Sequence, residues 1–518
     1  MRIAKAPLFA SLALVGVSLA SPTLAQRGDL ERKAFEDSLA GYRLKPPKGW
    51  DVVPVQPDER QLGLAFQMDS PDGKDPLAGH FRVVLVKSQP EFDQWSGTLF
   101  QQALGKSIAF DGLKSALDEQ VEIAGLSARH RRWLFEGLHL DAWLIERAPE
   151  KIGVLATVGE KDQFAKSWLV TFERSAKSLE TFEPKAAARG AGTTYAEKLE
   201  AARLEAERTK GWRVVPTPSQ KFILTTSSDN QKFVDEVIER LERSRTVFEQ
   251  DYPPPEDFKH VSIVRLCGSE EEFHRYGKTG GGVMGWFNPA STELVLYDAK
   301  DVDRNMSYAV MTHEGFHQYC HFLFGRSEAH RWFDEGHGDY YGGLKFEGQK
   351  AKITARMPGG LERLPGIREM LQLGTAAPLA KHLNFEHAQW QNQGPGNTSC
   401  YEQSWSLVFM LRQGMLGNVN SKVWRKEYAE ILPHYIATLR KGFEFAYEKE
   451  RAQRLKEKRA PGEAEQTSAK VIELGSDDLG KEVVQRIWKE AMDASWGQID
   501  LVQFEEDWQL YVKKYLKD

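Results

Sequence analysis

The chain contains little cysteine, and its interior has no long apolar run. Its three cysteines, Cys267, Cys320 and Cys400, are too few for a disulfide-stapled scaffold, and their spacing excludes a Cys-x-x-Cys zinc site. Beyond the N-terminal segment, no stretch has the roughly 18 consecutive apolar residues that a membrane-spanning helix needs. A glycine-rich phosphate loop and a Gly-x-Ser-x-Gly nucleophile turn are also absent. We therefore expect no membrane insertion of the mature chain and neither phosphate-loop nor serine-hydrolase chemistry.

The charge of the chain is nearly balanced. Lysine and arginine number 69 against 74 acidic residues, a formal net charge of −5 among 518 residues. This balance gives no argument for nucleic acid or an anionic membrane surface as a partner. The apolar fraction of 41% is enough for sizeable cores, and the length suggests two or three domains. The oligomeric state is not given by the sequence.

The N-terminal segment predicts export. Arg2 and Lys5 precede an apolar run over residues 8–20, and Thr23-Leu24-Ala25 offers a small-residue cleavage site. This order of basic, apolar and small residues is typical of a secretory signal peptide over residues 1–25. We therefore expect a periplasmic or extracellular protein.

Residues 26–183 predict an α+β domain. A helix is indicated by one apolar face with Phe164, Trp168 and Phe172, and strands are indicated over Gly41–Leu44, His80–Val86, His139–Ile145 and Ile152–Val158. The order of these elements resembles the PsbP-like fold, which often serves binding or assembly. No catalytic set is recognisable in this region.

The remainder divides into three predicted segments. Residues 184–211 predict a helical linker, residues 212–440 a domain with strands before helices, and residues 441–518 a helical C-terminal extension. An apolar stripe in the extension should dock onto the body of the protein; its residues are Phe504, Trp508, Tyr511 and Tyr515.

The most informative motif is His313-Glu314-Gly315-Phe316-His317, an HExxH pattern inside an apolar run. Two histidines four residues apart lie one turn apart on the same face of a helix. Both imidazoles can therefore reach one zinc ion, and Glu314 can act as general base on a water molecule. The alternative is a helix with two ordinary histidines.

A second group of acidic residues follows the motif. Glu335 lies at the start of a predicted second helix, and Asp339 follows one turn later on the same face. Catalytic zinc needs three protein ligands, and His313, His317 and Glu335 form such a set. A ligand histidine usually donates its second N–H to a carboxylate, a role that Asp339 could fill unless it is a surface acid. We read His321, one turn beyond His317, as a core residue or a neighbour of the ligands.

These motifs resemble those of the gluzincins, the thermolysin and aminopeptidase N clan of zinc peptidases. Their HExxH is followed by W-x-x-E-G-x-x-x-Y, matched here by Trp332, Glu335, Gly336 and Tyr340. The aminopeptidase-like members carry a later element with a leading tyrosine, matched by Tyr401. The resemblance covers about a fifth of the chain. It implies one zinc ion per chain, Glu314 as base, Tyr401 as stabiliser of the oxyanion, and a mixed sheet followed by mainly helical structure. For Tyr401 alone, a core position is the alternative.

One element departs from the aminopeptidase pattern. Those enzymes carry G-x-M-E-N, whose glutamate holds the free amine of the substrate, whereas this chain has Gly285 in the place of that glutamate. We therefore expect an endopeptidase rather than an aminopeptidase. Residues 284–288 and 293–297 predict a hairpin whose edge could bind an extended peptide by strand addition. A purely structural hairpin is the alternative.

The sequence as a whole predicts an α+β protein with an exported, zinc-dependent peptidase activity acting on peptide or protein substrates. The rival hypothesis is a non-catalytic envelope protein that keeps a zinc site for structure or for binding peptides. The intact Glu314 argues against this rival, because a purely structural zinc site does not need a base. The three cysteines are expected to be buried free thiols, although Cys320 and Cys400 could pair if their helices meet.

Overall fold

The structure is a computed structural model, and it divides the chain into two compact units near residue 186. The described residues are 28–38, 40–55, 59, 63–70, 79–86, 115–148, 150–183, 194–207, 209, 211–256, 258, 260–277, 282–289, 291–300, 303–356, 363–386, 389–390, 398–457 and 474–517. The predicted signal peptide lies outside them. Among the described residues, no helix combines the length and apolar character needed to cross a membrane.

The first unit is built mainly from antiparallel strands. A seven-stranded sheet has the order β3-β4-β5-β9-β8-β7-β6, and a three-stranded sheet has the order β1-β2-β10. The elements are β1 (Phe35–Asp37), β2 (Tyr42–Leu44), β3 (Asp51–Val52), β4 (Leu64–Asp69), β5 (His80–Val86), β6 (Ser115–Ile123), β7 (Leu126–Phe135), β8 (Leu138–Ile145), β9 (Lys151–Gly159), α1 (Ala165–Lys177) and β10 (Glu180–Thr181).

Helix α1 closes the core of this unit. Trp168 and Phe172 share the buried face of the helix and pack in one cluster with Phe81 and Trp143 of the large sheet. The four strands predicted from the sequence are present, with ends shifted by at most one residue, and the predicted helix is present directly after Phe164. Strands β6 and β7 were missed because their residues are largely charged and partly exposed, which hides the apolar period of two.

The second unit begins with strands and ends with helices. Its elements are α2 (Tyr195–Glu207), β11 (Arg213–Pro216), β12 (Phe222–Thr226), α3 (Gln231–Asp251), β13 (Ser262–Cys267), α4 (Glu270–Gly277), β14 (Gly285–Asn288), β15 (Glu293–Tyr297), α5 (Arg304–Leu323), α6 (Arg331–Gly342), β16 (Leu344–Glu347), β17 (Lys350–Ile353), α7 (Arg363–Leu373), α8 (Leu379–His382), α9 (Thr398–Met415), α10 (Ile431–Glu457), α11 (Lys481–Ala494) and α12 (Leu501–Leu510).

A five-stranded mixed sheet forms one side of this unit. Its order is β11-β12-β13-β15-β14, with parallel pairing of β13 to both β12 and β15 and antiparallel pairing at both ends. Helix α5 lies between this sheet and the helical part, because Met311 packs with the sheet residues whereas Phe316 belongs to the helical core. The α+β class, the mixed sheet and the mainly helical C-terminal part are therefore confirmed.

The C-terminal segment shares the core of the second unit. Phe504 and Trp508 are fully buried, Tyr511 is 4% exposed, and Tyr515 packs against the same helical cluster, so the predicted stripe docks as expected. The boundary expected between residues 440 and 441 falls inside α10, because the exposed charges of that helix resemble an independent extension in the sequence. Helix α2, expected to be a linker, packs its Leu204 and Ala206 side chains into this second unit.

Two glycines of α6 allow the close helix contacts around the HExxH motif. A Cβ atom on Gly336 would lie 2.7 Å from the Ser404 carbonyl oxygen of α9, and one on Gly338 would lie 2.8 Å from the His313 ring. Larger residues at these positions would push the helices apart. Gly336, which follows Glu335, is therefore required for the packing of α6 against α9.

Candidate metal centre

Three predicted ligands converge on one point between α5 and α6. The ligand atoms of His313, His317 and Glu335 all lie within 4.8 Å of one another. The two Nε2 atoms are 2.9 Å apart, and each lies 3.4 Å from Glu335 Oε2. Ligand atoms held about 2.0–2.1 Å from one tetrahedral zinc ion lie roughly 3.3 Å from each other. The three side chains therefore fit such an ion without rearrangement of the helices.

The lone pairs of these three ligand atoms repel one another unless a positive charge lies between them. The second nitrogen of each ring faces a carboxylate, since His313 Nδ1 lies 3.1 Å from Asp339 Oδ1 and His317 Nδ1 lies 2.9 Å from Asp334 Oδ1. If each Nδ1 donates its proton there, both Nε2 atoms present lone pairs to one another and to the Glu335 carboxylate. Two imidazoles and one carboxylate are ligands that zinc accepts.

The acidic surroundings change the protonation of both histidines. Burial alone would lower the pKa of His313, but Asp339 and Glu335 raise that pKa to about 9. For His317, burial is likewise outweighed by Asp334 and Glu335, which hold its pKa well above the usual value. The pKa of Glu335 is lowered, because the nearby histidines outweigh the effect of burial. Without a metal, the site therefore attracts positive charge in the form of protons.

Two arginines orient the carboxylates and were not anticipated from the sequence. Arg331 donates to Glu335 Oε1 at 3.1 Å, which leaves Oε2 for the shared point. Arg363 donates to Asp339 through Nε at 2.8 Å and through a second nitrogen at 3.3 Å. Partners of this kind fix the rotamers of metal ligands and their supporting acids.

Glu314 lies in the same cavity and is held by the edge strand of the sheet. The backbone N–H of Phe287, in β14, donates to Glu314 Oε2 at 2.9 Å. Burial raises the pKa of Glu314, although the charges of His313 and His317 oppose that shift. A carboxylate with a raised pKa is suited to accept and return a proton near neutral pH.

Tyr401 also reaches the cavity. It lies in the first turn of α9, and the cavity of about 220 Å³ is lined by Tyr401 together with His313, Glu314, His317 and Glu335. Its ring packs on Trp390 at 5.5 Å and beneath the guanidinium group of Arg363 at 5.1 Å. The negative charge of Glu335 and burial raise the pKa of Tyr401, so its phenol stays protonated and can donate a hydrogen bond.

Gly285 has no room for the glutamate found at the matching position of aminopeptidases. A Cβ atom there would lie 2.8 Å from Leu296 and 2.9 Å from Val310 of α5. The strand therefore packs tightly on α5 at this point, and the position offers no carboxylate to a free amine. The observed hairpin strand begins at Gly285 rather than at Met284.

His337 and the three cysteines lie in the interior of the second unit. His337 is fully buried, and its two ring nitrogens contact the Tyr252 hydroxyl and the Phe333 carbonyl, so both are used inside the protein. All three cysteines lie in the described part of the chain, are buried and form no disulfide, in agreement with the preferred expectation.

Comparisons with known proteins give no family for this chain. Neither a protein family nor a curated protein matches the sequence. Among solved structures, PsbP from the cyanobacterium Synechocystis sp. matches 32% of this chain and 99% of its own, with 16% identity and a TM-score of 0.23. A Pseudomonas aeruginosa protein of unknown function matches 30% of this chain and 96% of its own, with 17% identity and a TM-score of 0.16.

A third solved structure, from Bacteroides thetaiotaomicron, matches 63% of this chain and 86% of its own, with 10% identity and a TM-score of 0.19. Scores this low carry no argument about activity or partners. The fold class therefore rests on the elements and the sheet order described above.

Proposed function

We propose that this protein is an exported zinc metallopeptidase of gluzincin type that hydrolyses internal peptide bonds. The observation that carries the proposal is the convergence of His313, His317 and Glu335 within 4.8 Å, in a cavity that also contains Glu314 and Tyr401. A zinc ion bound there would supply Lewis acidity and lower the pKa of a water molecule towards about 7. Export is proposed from residues 1–25 of the sequence.

The roles of the side chains follow from their positions. Glu314, held by the Phe287 N–H, would accept the proton of the attacking water and return it to the leaving amine. Tyr401 would donate a hydrogen bond to the oxyanion that develops on the substrate carbonyl. Asp334 and Asp339 would keep the two histidine rings in the orientation that leaves Nε2 free for the metal.

The substrate would bind beside β14. Among the described strands, β14 is at the end of its sheet, and it donates a backbone N–H to Glu314, so its outer edge runs past the proposed base. An extended peptide could pair with such an edge through its main chain, and this pairing does not require a free N- or C-terminus. The space around Gly285 supports endopeptidase action, since no acid is available there for an N-terminal ammonium group.

The direct test is Glu314→Gln, assayed for zinc content and for cleavage of a mixed peptide library. The amide cannot accept a proton but leaves the three ligands intact, so zinc content should stay at one ion per chain while hydrolysis falls by roughly 10²–10⁴-fold. Glu427→Gln, an exposed change elsewhere in the second unit, is the matched control and should leave both unchanged. Undiminished cleavage by the Glu314 variant would refute its role as base.

A second comparison separates the two modes of cleavage. A peptide with a free amine and the same peptide N-acetylated should be cut at the same internal bond at similar rates. Release of single residues from the free form, with loss of cleavage on acetylation, would contradict the endopeptidase assignment. A wild-type protein that binds zinc and peptides but cleaves nothing would favour the non-catalytic envelope protein.

A further inference from the structure

A third histidine of α5 lines the cavity without a partner. His321 follows His317 by one helical turn, is 7% exposed, and forms part of the cavity wall. Within the described part of the chain, neither its Nδ1 nor its Nε2 atom has a hydrogen-bond partner. A buried polar group left unpaired costs about 1–3 kcal/mol. Both nitrogen atoms are also shielded from solvent, so a ligand in the cavity would satisfy them once the ring turns towards it.

The other buried histidines in the described part of the second unit each have a hydrogen-bond partner on at least one ring nitrogen. His330, also 7% exposed, contacts the Tyr435 hydroxyl through Nδ1 at 2.9 Å, and His382 contacts Ser404 Oγ through Nε2 at 2.8 Å. Neither of these two histidines lines the cavity around the candidate metal centre. His321 therefore differs from comparably buried histidines both in its lack of partners and in its position.

The surroundings of His321 combine apolar and charged groups. The rings of Phe287 and Phe322 lie 5.3 Å and 5.1 Å from its ring, and Pro289 shares the cavity wall. Burial lowers the pKa of His321 to about 4; Arg326 acts in the same direction and Asp334 against it. The imidazole is therefore neutral at pH 7 and offers one donor and one acceptor.

We infer that His321 forms a specificity subsite in which its imidazole turns towards the cavity and exchanges hydrogen bonds with an uncharged polar side chain of the substrate, such as glutamine or asparagine. This inference rests on the proposed peptidase function. An amide side chain matches a neutral imidazole because it also both donates and accepts. A charged side chain between the two phenylalanine rings would be costly to desolvate.

The position of His321 limits which substrate residue it can contact. Four residues along a helix correspond to about 6 Å, so His321 lies about that far beyond His317. An extended peptide advances about 3.3 Å per residue. The side chain that reaches His321 should therefore belong to a residue within two positions of the cleaved bond.

The first test measures kcat/KM for peptides that differ at one position near the cleaved bond. Wild-type protein should prefer glutamine over leucine there by roughly tenfold, the value of one hydrogen bond. His321→Phe should remove this preference while it fills the same volume, and His321→Gln should restore part of it. His330→Phe, with the same burial outside the cavity, should keep the wild-type preference.

The second test does not depend on cleavage. A glutamine-containing peptide should shift the imidazole ¹⁵N resonances of His321, assigned by their loss in His321→Phe, whereas the leucine peptide should shift them much less. This signal would support the subsite even if no peptide were hydrolysed, so failure of the peptidase proposal and failure of the subsite are distinguishable.

Three results would overturn the inference. The first is an unchanged order of substrate preference in His321→Phe. The second is that neither peptide shifts the imidazole resonances of His321. The third is a preference for lysine that is lost in Glu328→Gln. Glu328 is exposed and shares the cavity wall, so the last result would assign the subsite to a cationic side chain instead.

Discussion

Each unit of this chain holds histidine side chains among carboxylates and an arginine, and the two arrangements differ in where the histidine nitrogens point. In the first unit, His130 contacts Glu119 through Nδ1 at 3.2 Å and Asp141 through Nε2 at 3.1 Å. Arg132 donates twice to Asp141, each time at 2.7 Å. Both nitrogens of a ring that is 1% exposed are therefore used within the protein.

In the second unit, His313 and His317 each turn one nitrogen towards a carboxylate and the other towards a shared point. His313 and His317 direct their Nε2 atoms to within 2.9 Å of each other, beside a cavity. The comparison teaches that histidine and acid content does not identify a site. A closed set of ion pairs stabilises a fold, whereas convergent lone pairs next to a cavity are suited to bind an ion.

The largest effect that we expect from this comparison is on the stability of the first unit. Asp141→Ala leaves Arg132 and His130 without their buried partner, and loss of one member of a buried ion pair costs about 3–5 kcal/mol. Native-state hydrogen exchange of β7 and β8 would measure the loss, and zinc content should not change. Unaltered protection of these strands would show that the first cluster contributes little to stability.

The next effect concerns catalysis at the second cluster. Tyr401→Phe should lower kcat by roughly 10²–10³-fold with a small change in KM, because the lost hydrogen bond acts mainly in the transition state. Tyr308→Phe, on α5 but bonded to Glu236, serves as control. An unchanged kcat in the Tyr401 variant would assign this residue to packing.

A smaller effect is expected on metal affinity. Asp339→Ala should weaken zinc binding by roughly 10–100-fold, since the carboxylate orients the His313 ring without binding the metal itself. Competition with a chromophoric chelator would measure the change. Asp507→Ala removes another buried acid, one that pairs with Arg425, so it should leave the affinity unaltered. Equal losses in both variants would point to general destabilisation instead.

The smallest effect that we expect is on the pH dependence of stability, and it concerns a buried histidine outside the candidate metal centre. Burial lowers the pKa of His382 to about 3, below the value near 6.5 of an unfolded chain. Its contribution to stability is therefore complete above pH 6.5 and is lost as the pH falls towards 3. Each such histidine adds a slope of about 1.4 kcal/mol per pH unit in that range.

His382→Gln should reduce the pH dependence of the unfolding free energy by the contribution of one proton, about 1.4 kcal/mol per pH unit. Denaturant unfolding at pH 7, 6 and 5, followed by tryptophan fluorescence, would measure it, and the exposed His434→Gln would serve as control. If the variant loses stability with falling pH as steeply as the wild type, His382 does not contribute to the pH dependence of stability.

The sequence predicted the parts of the site that depend on local spacing. The HExxH helix, Glu335 and Asp339 could be placed because helical periodicity sets which side chains share a face. The docking of the stripe around Phe504 and Trp508 followed from the same periodicity.

The contacts that the sequence did not predict join separate elements. Arg363 reaches Asp339 from another helix, and the Phe287 N–H reaches Glu314 from a strand. His321 was read as a core residue or a neighbour of the ligands, and its lack of partners depends on loops and rings that surround it. Such contacts depend on tertiary packing, for which the sequence offers no local pattern.

The central claim is that the second cluster is a metal site and the first is not. Zinc content of the purified protein, measured by elemental analysis after zinc incubation and gel filtration, tests it most directly. The account predicts about one ion per chain in the wild type and in His130→Ala, and close to none in His317→Ala. A metal-free wild type, or a His317→Ala protein that retains its zinc, would contradict the account.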